Sequence, residues 1–167
     1  MTDTFPVSMD SLAFPERLPE SPDYLRAVTE LAQRRAVVAQ EAIYAEGGIK
    51  LVEKGTRIDG RLYDRLVQHK LREPIDSHLA AEDTIDHAVL VAAAREVARD
   101  SPLGQLLGPA LGTGFDRMWV SLAQVPLPST MAFKLTVMRE QRPKLFQHSL
   151  EMVIVAMFLG LRSALND

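Results

Sequence analysis

The most constraining feature of this sequence is an uninterrupted apolar run near its C-terminus, Met152 to Leu159. In a helix, a run of this length covers two turns and every face. A surface helix carries an apolar stripe on one side only, so the run predicts a helix that is buried all round. Only six residues follow Leu161. We therefore expect either a second copy of the chain to cover the far face, or the sequence to be the front part of a longer protein.

Composition is that of an ordinary soluble domain, with 167 residues, 47% of them hydrophobic and 25% charged. The formal charge of -3 argues against a nucleic acid polymer as partner. Cysteine is absent, which excludes disulfides, thiolate metal sites and cysteine nucleophiles and suits a reducing compartment. The apolar run is far shorter than the roughly 20 residues of a membrane span, and no signal sequence opens the chain. We predict a cytoplasmic protein without a membrane segment.

Helix start and stop signals predict a mainly α protein, a helical bundle of six or seven helices with one small β-hairpin. Prolines predict an irregular arm over residues 1–21. The first helix is placed at Pro22 to Tyr44, and the hairpin near residues 49–58, where β-branched residues flank a glycine turn.

The remaining helices are predicted from the same capping and proline signals. They are one capped by Asp59 and ended by Glu73-Pro74, one from Asp83 to about Arg99, two short ones divided by Gly112-Thr113-Gly114, one capped by Ser129 or Thr130, and a last one from near Lys144. None of these segments repeats another.

Histidines are the main candidates for chemistry besides the carboxylates. His69, His78 and His87 are predicted to have surface or helix-capping roles. His148 differs because it lies one turn into the apolar helix, beside Ser149. No serine lies in a Gly-x-Ser-x-Gly turn, and no glycine pair opens a phosphate loop, so the residues alone predict no catalytic residue and no cofactor.

Basic residues are dense between residues 50 and 72, although acidic residues alternate with them. A solvated face is the favoured interpretation, and an anion site, for a cyclic nucleotide for example, is the other. The residues concerned are Lys50, Lys54, Arg57, Arg61, Arg65, Lys70 and Arg72.

Two segments resemble parts of a known family. Residues 48–66, GIKLVEKGTRIDGRLYDRL, resemble a segment that precedes the catalytic domain in bacterial HD and HD-GYP signalling proteins. Residues 145–150, LFQHSL, are similar to the opening helix of HD-type phosphohydrolases, in which serine or threonine commonly follows the first metal-ligand histidine. The two segments occur in the order that this family uses.

The resemblance implies that residues 22–128 are a regulatory region, that residues 129–167 begin an HD-like domain truncated after its first helix, and that His148 matches a metal ligand. It also implies a link to cyclic di-GMP turnover. The His-Asp pair, the later histidines and the Gly-Tyr-Pro motif do not occur in this sequence, and Lys144 stands where some members have glutamate. One histidine cannot hold a catalytic metal.

We therefore expect a non-catalytic sensory or interaction module of a bacterial cytoplasmic signalling protein. The alternative is an enzyme, a metal-dependent phosphohydrolase or cyclic dinucleotide phosphodiesterase that uses His148. The expected partner is a second copy bound through the C-terminal apolar helix, with a protein or a nucleotide as a further signalling partner.

Overall fold

The computed structural model describes residues 21–111 and 114–164. The prediction of a mainly α protein with a small antiparallel sheet is confirmed, because helices account for 65% of the structure. The arm predicted for residues 1–21 lies, apart from Ser21, outside the described residues. So do two of the three residues of the predicted turn at Gly112-Thr113-Gly114.

Seven α-helices and four short strands follow one another in this part of the chain, with a 3-10 turn at Ile75–Ser77 before the last strand. In chain order they are α1 (Pro22–Arg34), β1 (Val37–Ala39), β2 (Ile43–Tyr44), β3 (Lys50–Val52), α2 (Gly60–Val67), β4 (Leu79–Ala81), α3 (His87–Asp100), α4 (Pro102–Leu111), α5 (Gly114–Gln124), α6 (Ser129–Gln141) and α7 (Pro143–Ala164).

The strands form two separate antiparallel pairs. In one pair, β1 lies beside β4, with Val37 opposite Ala81. In the other, β2 and β3 form a hairpin, with Ile43 opposite Val52. Gly48 lies in the turn of this hairpin with a φ of 81°, which glycine adopts without steric cost.

The predicted first helix is too long. It ends at Arg34 instead of Tyr44, because Arg35 adopts an extended conformation and its N–H closes the last turn on the Leu31 carbonyl. The valines that follow are β-branched and are better suited to a strand, and they join β4. Local helical spacing was therefore overridden by pairing with a strand more than 40 residues away.

The hairpin predicted near residues 49–58 contains β3, but the strand predicted to pair with β3 is wrong. β3 pairs with β2, which precedes it, so the hairpin covers residues 43–52. The predicted second arm bonds to β1 instead, where the Ala39 N–H donates to the Thr56 carbonyl (2.9 Å) and the Ile58 N–H donates to the Val37 carbonyl (2.8 Å). Gly55, with a φ of 81°, redirects the chain between the two.

Two helix ends also differ from prediction. Asp59 caps α2 as expected, accepting from the Arg61 and Leu62 amides. However, α2 stops at Val67 instead of Glu73, because the following residues pair with the β2 region, where the Arg72 N–H donates to the Tyr44 carbonyl (3.0 Å). The predicted Ser129 or Thr130 cap is absent, since Pro128 occupies the N-cap position of α6 without a side-chain hydrogen bond.

The described residues bury two apolar clusters. The first lies among α1, α2 and the strands, and the second among α3, α5 and α7. Helix α6 belongs to both, with Phe133 and Val137 in the first cluster and Leu135 and Met138 against the second. Its apolar side chains therefore surround the helix and do not form a single stripe.

Thr136 connects the two clusters by hydrogen bonds. It is fully buried on α6, and its hydroxyl donates to the Ala132 carbonyl (2.8 Å) and accepts from the Ile85 N–H (2.9 Å). Ile85 belongs to the second cluster. The segment that leads into α3 is thus held against α6 by one buried hydroxyl.

Replacing Thr136 with valine keeps the shape of the side chain and leaves the Ile85 N–H without its acceptor. We expect the Thr136→Val variant to lose about 1–3 kcal/mol of unfolding free energy, the cost of one unsatisfied buried group. Urea denaturation followed by circular dichroism measures it. Unchanged stability would show that this hydrogen bond does not hold the segment.

The α3–α4 junction requires a glycine. Ser101 precedes α4, and its hydroxyl accepts from the Gly104 N–H (3.1 Å). A Cβ at Gly104 would overlap the backbone carbonyl group of Ala98 in α3. The two helix backbones therefore approach each other at this point more closely than any other residue permits.

We expect the Gly104→Ala variant to lose about 1–3 kcal/mol of stability, because backbone and not a flexible side chain must move. Gly160→Ala is the matched control, since Gly160 is also helical and has open space around its Cα. Because alanine has a higher helix propensity than glycine, Gly160→Ala should raise the free energy of unfolding by up to about 1 kcal/mol. Urea denaturation of both variants at low protein concentration makes the comparison, and equal effects would contradict the close approach.

Candidate functional site

Helix α7 is buried on one face only. Phe146, Leu150 and Ile154 are each less than 10% exposed and pack in the second cluster. Met157, Phe158 and Leu161 are partly buried against the same cluster. The chain alone therefore leaves the far face of α7 uncovered, as the apolar run led us to expect, because α3, α4, α5 and α6 contact one side of it. That a partner covers this face stays a prediction.

The opposite face of α7 is apolar and exposed. Large apolar side chains on it are between 36% and 57% exposed, namely Leu145, Met152, Val153 and Leu159. Ala156 and Gly160 lie between them and are also exposed. Contiguous apolar surface of this kind marks an interaction site more often than ordinary surface. We call residues 145, 149, 152, 153, 156, 159, 160 and 163 the outer face of α7.

By length and composition, α7 also meets the criterion for a membrane-spanning helix over Pro143–Ser163, with a mean hydropathy of 1.3. The sequence prediction considered only the uninterrupted run, whereas this average extends across polar residues such as Gln147. One such helix does not establish a membrane protein, because helices of soluble proteins pass the same test. A soluble protein is compatible with the structure, and the cytoplasmic location stays a prediction.

His148, the residue matched to a metal ligand by resemblance, lies near the start of α7. Its side chain is 66% exposed, and its Nδ1 lies 3.6 Å from the Glu151 carboxylate one turn away. The neighbouring Ser149 hydroxyl donates to the Leu145 carbonyl (2.9 Å). Among the residues described, no three His, Asp or Glu side chains are grouped so that they could hold a metal ion. His148 therefore keeps its role by resemblance alone.

Of the surface or capping role predicted for His78, the surface position is wrong and the capping position is found, since His78 is the C-cap residue of the Ile75–Ser77 turn and its N–H donates to the Ile75 carbonyl (3.0 Å). It is 8% exposed, because its carbonyl accepts from the Gln40 N–H (2.7 Å) and holds it beside β1. Its Nε2 lies 3.2 Å from the Glu73 carboxylate, and its Nδ1 lies 3.7 Å from that of Glu41. Nothing in the local sequence indicates this grouping, since it depends on the β1–β4 pairing.

The other two histidines are ordinary. His69 is exposed just beyond α2. His87 is the first residue of α3, after the Asp86 cap, and its Nε2 lies 2.8 Å from the Val125 carbonyl. The prediction of surface or capping positions fits both.

A buried carboxylate, that of Asp76, lies two residues before His78 in the chain. The Asp76 side chain is 2% exposed, and its Oδ2 lies 3.1 Å from Nζ of Lys134 on α6. Its Oδ1 has no hydrogen-bond partner among the described residues. Because a buried carboxylate is costly without a cation, this pair fixes the 3-10 turn against α6. We expect the pair to have a structural role, and the sequence did not distinguish Lys134 from other helix lysines.

Three of the seven basic residues between residues 50 and 72 are engaged in local contacts. Lys50 forms an ion pair with Glu53, and this hydrogen bond and charge raise the pKa of Lys50. Lys70 pairs with Glu46 at 3.1 Å. The Arg65 guanidinium donates to the Leu51 carbonyl (3.0 Å). These contacts favour the solvated face over a dedicated anion site.

No family model, no curated protein and no solved structure is significantly similar to the chain. The relation to HD-type signalling proteins accordingly depends on residues 48–66 and 145–150 and stays a prediction. In the structure, the first of these segments spans β3 and α2, and the second lies in the first turns of α7.

Removing the cation from the buried pair tests its structural role. We expect Lys134→Met to lower the free energy of unfolding by about 1–3 kcal/mol, because the Asp76 carboxylate is left buried without a partner. Adding Asp76→Asn should restore part of this loss, since the charge is removed as well. Lys54→Met, at an exposed lysine, is the control and should stay within about 0.5 kcal/mol of the parent chain. Equal effects of the two lysine substitutions, measured by urea denaturation, would contradict the pairing.

Proposed function

We propose that this chain is a non-catalytic interaction module of a bacterial cytoplasmic signalling protein, and that it acts by docking through the outer face of α7. The observation that carries the proposal is the combination found on this one helix. Phe146, Leu150 and Ile154 anchor it in the second cluster, while Leu145, Met152 and Leu159 stay more than half exposed. A helix that is held rigidly on one side and is apolar on the other is suited to helix-to-helix docking.

The arrangement around His148 supports a non-catalytic role over the alternative of a phosphohydrolase. Metal-assisted hydrolysis needs an ion held by several ligands, which lowers the pKa of a bound water. His148 has one carboxylate nearby, that of Glu151, on an exposed surface. His78 lies in the other half of the fold near β1, and the described residues contain no group of three His, Asp or Glu side chains that could hold a metal ion.

The proposed relation to HD-type proteins indicates which part of the chain regulates and which part docks. Residues 48–66 form a strand and a helix that pack into the first cluster through Leu51, Ile58 and Leu66. In this proposal, residues 22–128 are the regulatory part, and α7 transmits its state to whatever binds the outer face. The family resemblance is what points to a nucleotide such as cyclic di-GMP as the signal.

The function is tested by assaying hydrolysis of cyclic di-GMP and of a generic phosphodiester with Mn²⁺, Fe²⁺ or Ni²⁺ added. We expect no turnover above the background of metal alone, because residues 21–111 and 114–164 contain no ligand set that could hold the ion. His148→Ala should leave both this background and the stability unchanged, since the side chain is exposed and outside the clusters.

The matched control is Gln147→Ala, which changes the adjacent exposed position without removing an imidazole. Metal-dependent turnover that is lost in His148→Ala and kept in Gln147→Ala would overturn the non-catalytic assignment in favour of the phosphohydrolase.

A further inference from the structure

The outer face of α7 has a regular heptad pattern. Its three largest side chains are Leu145, Met152 and Leu159, which are seven residues apart. They are 52%, 56% and 57% exposed, respectively. Three small residues lie between and after them, again seven apart. They are Ser149, which is half-buried with its hydroxyl 3.7 Å from the Met138 sulfur on α6, and the exposed Ala156 and Ser163. The combined spacing of four and three residues is that of the contacting positions in a two-helix coiled coil.

From this pattern we infer that the outer face binds α7 of a second copy of the chain, in antiparallel orientation about a two-fold axis near residue 154. The inference rests on the proposed docking role of α7 and names the partner. With this axis, Leu145 of one copy lies opposite Ser163 of the other, Ser149 opposite Leu159, and Met152 opposite Ala156.

The antiparallel orientation follows from the sizes of these side chains. Each layer of the antiparallel pair combines one large and one small residue, so that the side chains interdigitate at even helix separation. A parallel pair would place leucine on leucine in one layer and serine on serine in the next. Large layers would then separate the helices and small layers would leave voids.

Charge is also compatible with pairing of two copies. Between Leu145 and Leu161 the acidic and basic side chains are those of Glu151 and His148, and neither lies at a contacting position of the heptad. No charge is therefore buried in the contact. At each end, Lys144 of one copy approaches Arg162 of the other, so that salt should strengthen the association by screening this repulsion.

The size of the face sets the expected affinity. Residues 145 to 163 span about 28 Å of helix, at one helix width of about 10 Å. This is at the small end of specific interfaces, below the roughly 800 Å² per partner that stable dimers bury. We therefore expect a reversible dimer with micromolar affinity, which dilution dissociates.

Sedimentation equilibrium of the 167-residue chain over about 1–200 µM tests the pairing. The expected result is a monomer–dimer equilibrium that Leu159→Lys abolishes. Val120→Lys is the control, because Val120 on α5 is also 60% exposed but lies outside the heptad. A monomer at all concentrations overturns the inference, and so does equal weakening by both variants. Circular dichroism verifies that each variant is folded.

Exchange of one large and one small residue tests the orientation. In the antiparallel pair, Ala156→Met places methionine against Met152 of the other copy and should weaken association by about tenfold. The double variant Met152→Ala with Ala156→Met restores one large and one small side chain in this layer and should recover the affinity. In a parallel pair the single variant adds apolar contact instead, so a strengthened dimer would overturn the antiparallel arrangement.

Flotation with vesicles of phosphatidylcholine and phosphatidylglycerol tests whether the outer face binds a membrane instead of a second copy of the chain. Vesicle binding that Leu159→Lys abolishes, by a chain that is monomeric in solution, assigns the outer face to a membrane and overturns the second copy. The hydrolysis assay reports on the proposed function independently. A monomer without turnover removes this inference and leaves the non-catalytic role, whereas turnover dependent on His148 removes that role whether or not the chain dimerises.

Discussion

Helix α6 is the element on which the rest of the fold depends, because it is shared by both apolar clusters. Phe133 and Val137 pack with the strands and α1, while Leu135 and Met138 face the α3–α5–α7 side. The polar groups on α6 have the same double role. Thr136 bonds to the segment before α3, and Lys134 neutralises Asp76 in the 3-10 turn. Neither half of the molecule has a complete core without this helix.

The position of α7 follows from this arrangement. The four helices that precede it, α3, α4, α5 and α6, cover one side of α7 and leave the outer face in solvent. In a chain of this size the apolar surface of α7 exceeds what the neighbouring helices can cover. The exposed heptad of Leu145, Met152 and Leu159 is therefore a consequence of topology together with sequence.

Much of the helical architecture could be predicted from local signals. The helices from α3 to α7 begin and end within a few residues of their predicted positions, because prolines, glycines and the Asp86 cap fix them. The strand region could not be predicted in the same way. β1 and β4 are three-residue strands more than 40 positions apart, and their pairing converts the second half of a predicted helix into a strand.

The candidate site was predictable only in part, because the sequence shows how much apolar surface α7 has but not which side of the helix is covered. The apolar run over Met152 to Leu159 indicated that α7 has more apolar surface than one core can bury, and this surplus is present. The side on which it appears depends on how α7 rotates against α3 and α5, which sequence periodicity does not determine for a helix that is apolar all round. The burial of His78 and Asp76 likewise depends on strand pairing and on Lys134 from a distant helix.

The contacts of Arg35 affect how the chain unfolds. Its guanidinium reaches Asp83 (2.9 Å) before α3 and Glu140 (3.0 Å) on α6, from a position just after α1. One side chain thus joins three segments at the seam between the two clusters, alongside the shared helix. Opening of this seam exposes part of both clusters at once, so we expect the halves to melt in a single cooperative transition instead of as separate foldons. Amide hydrogen exchange in α6 would then report the global unfolding free energy of the whole chain, and not that of either half.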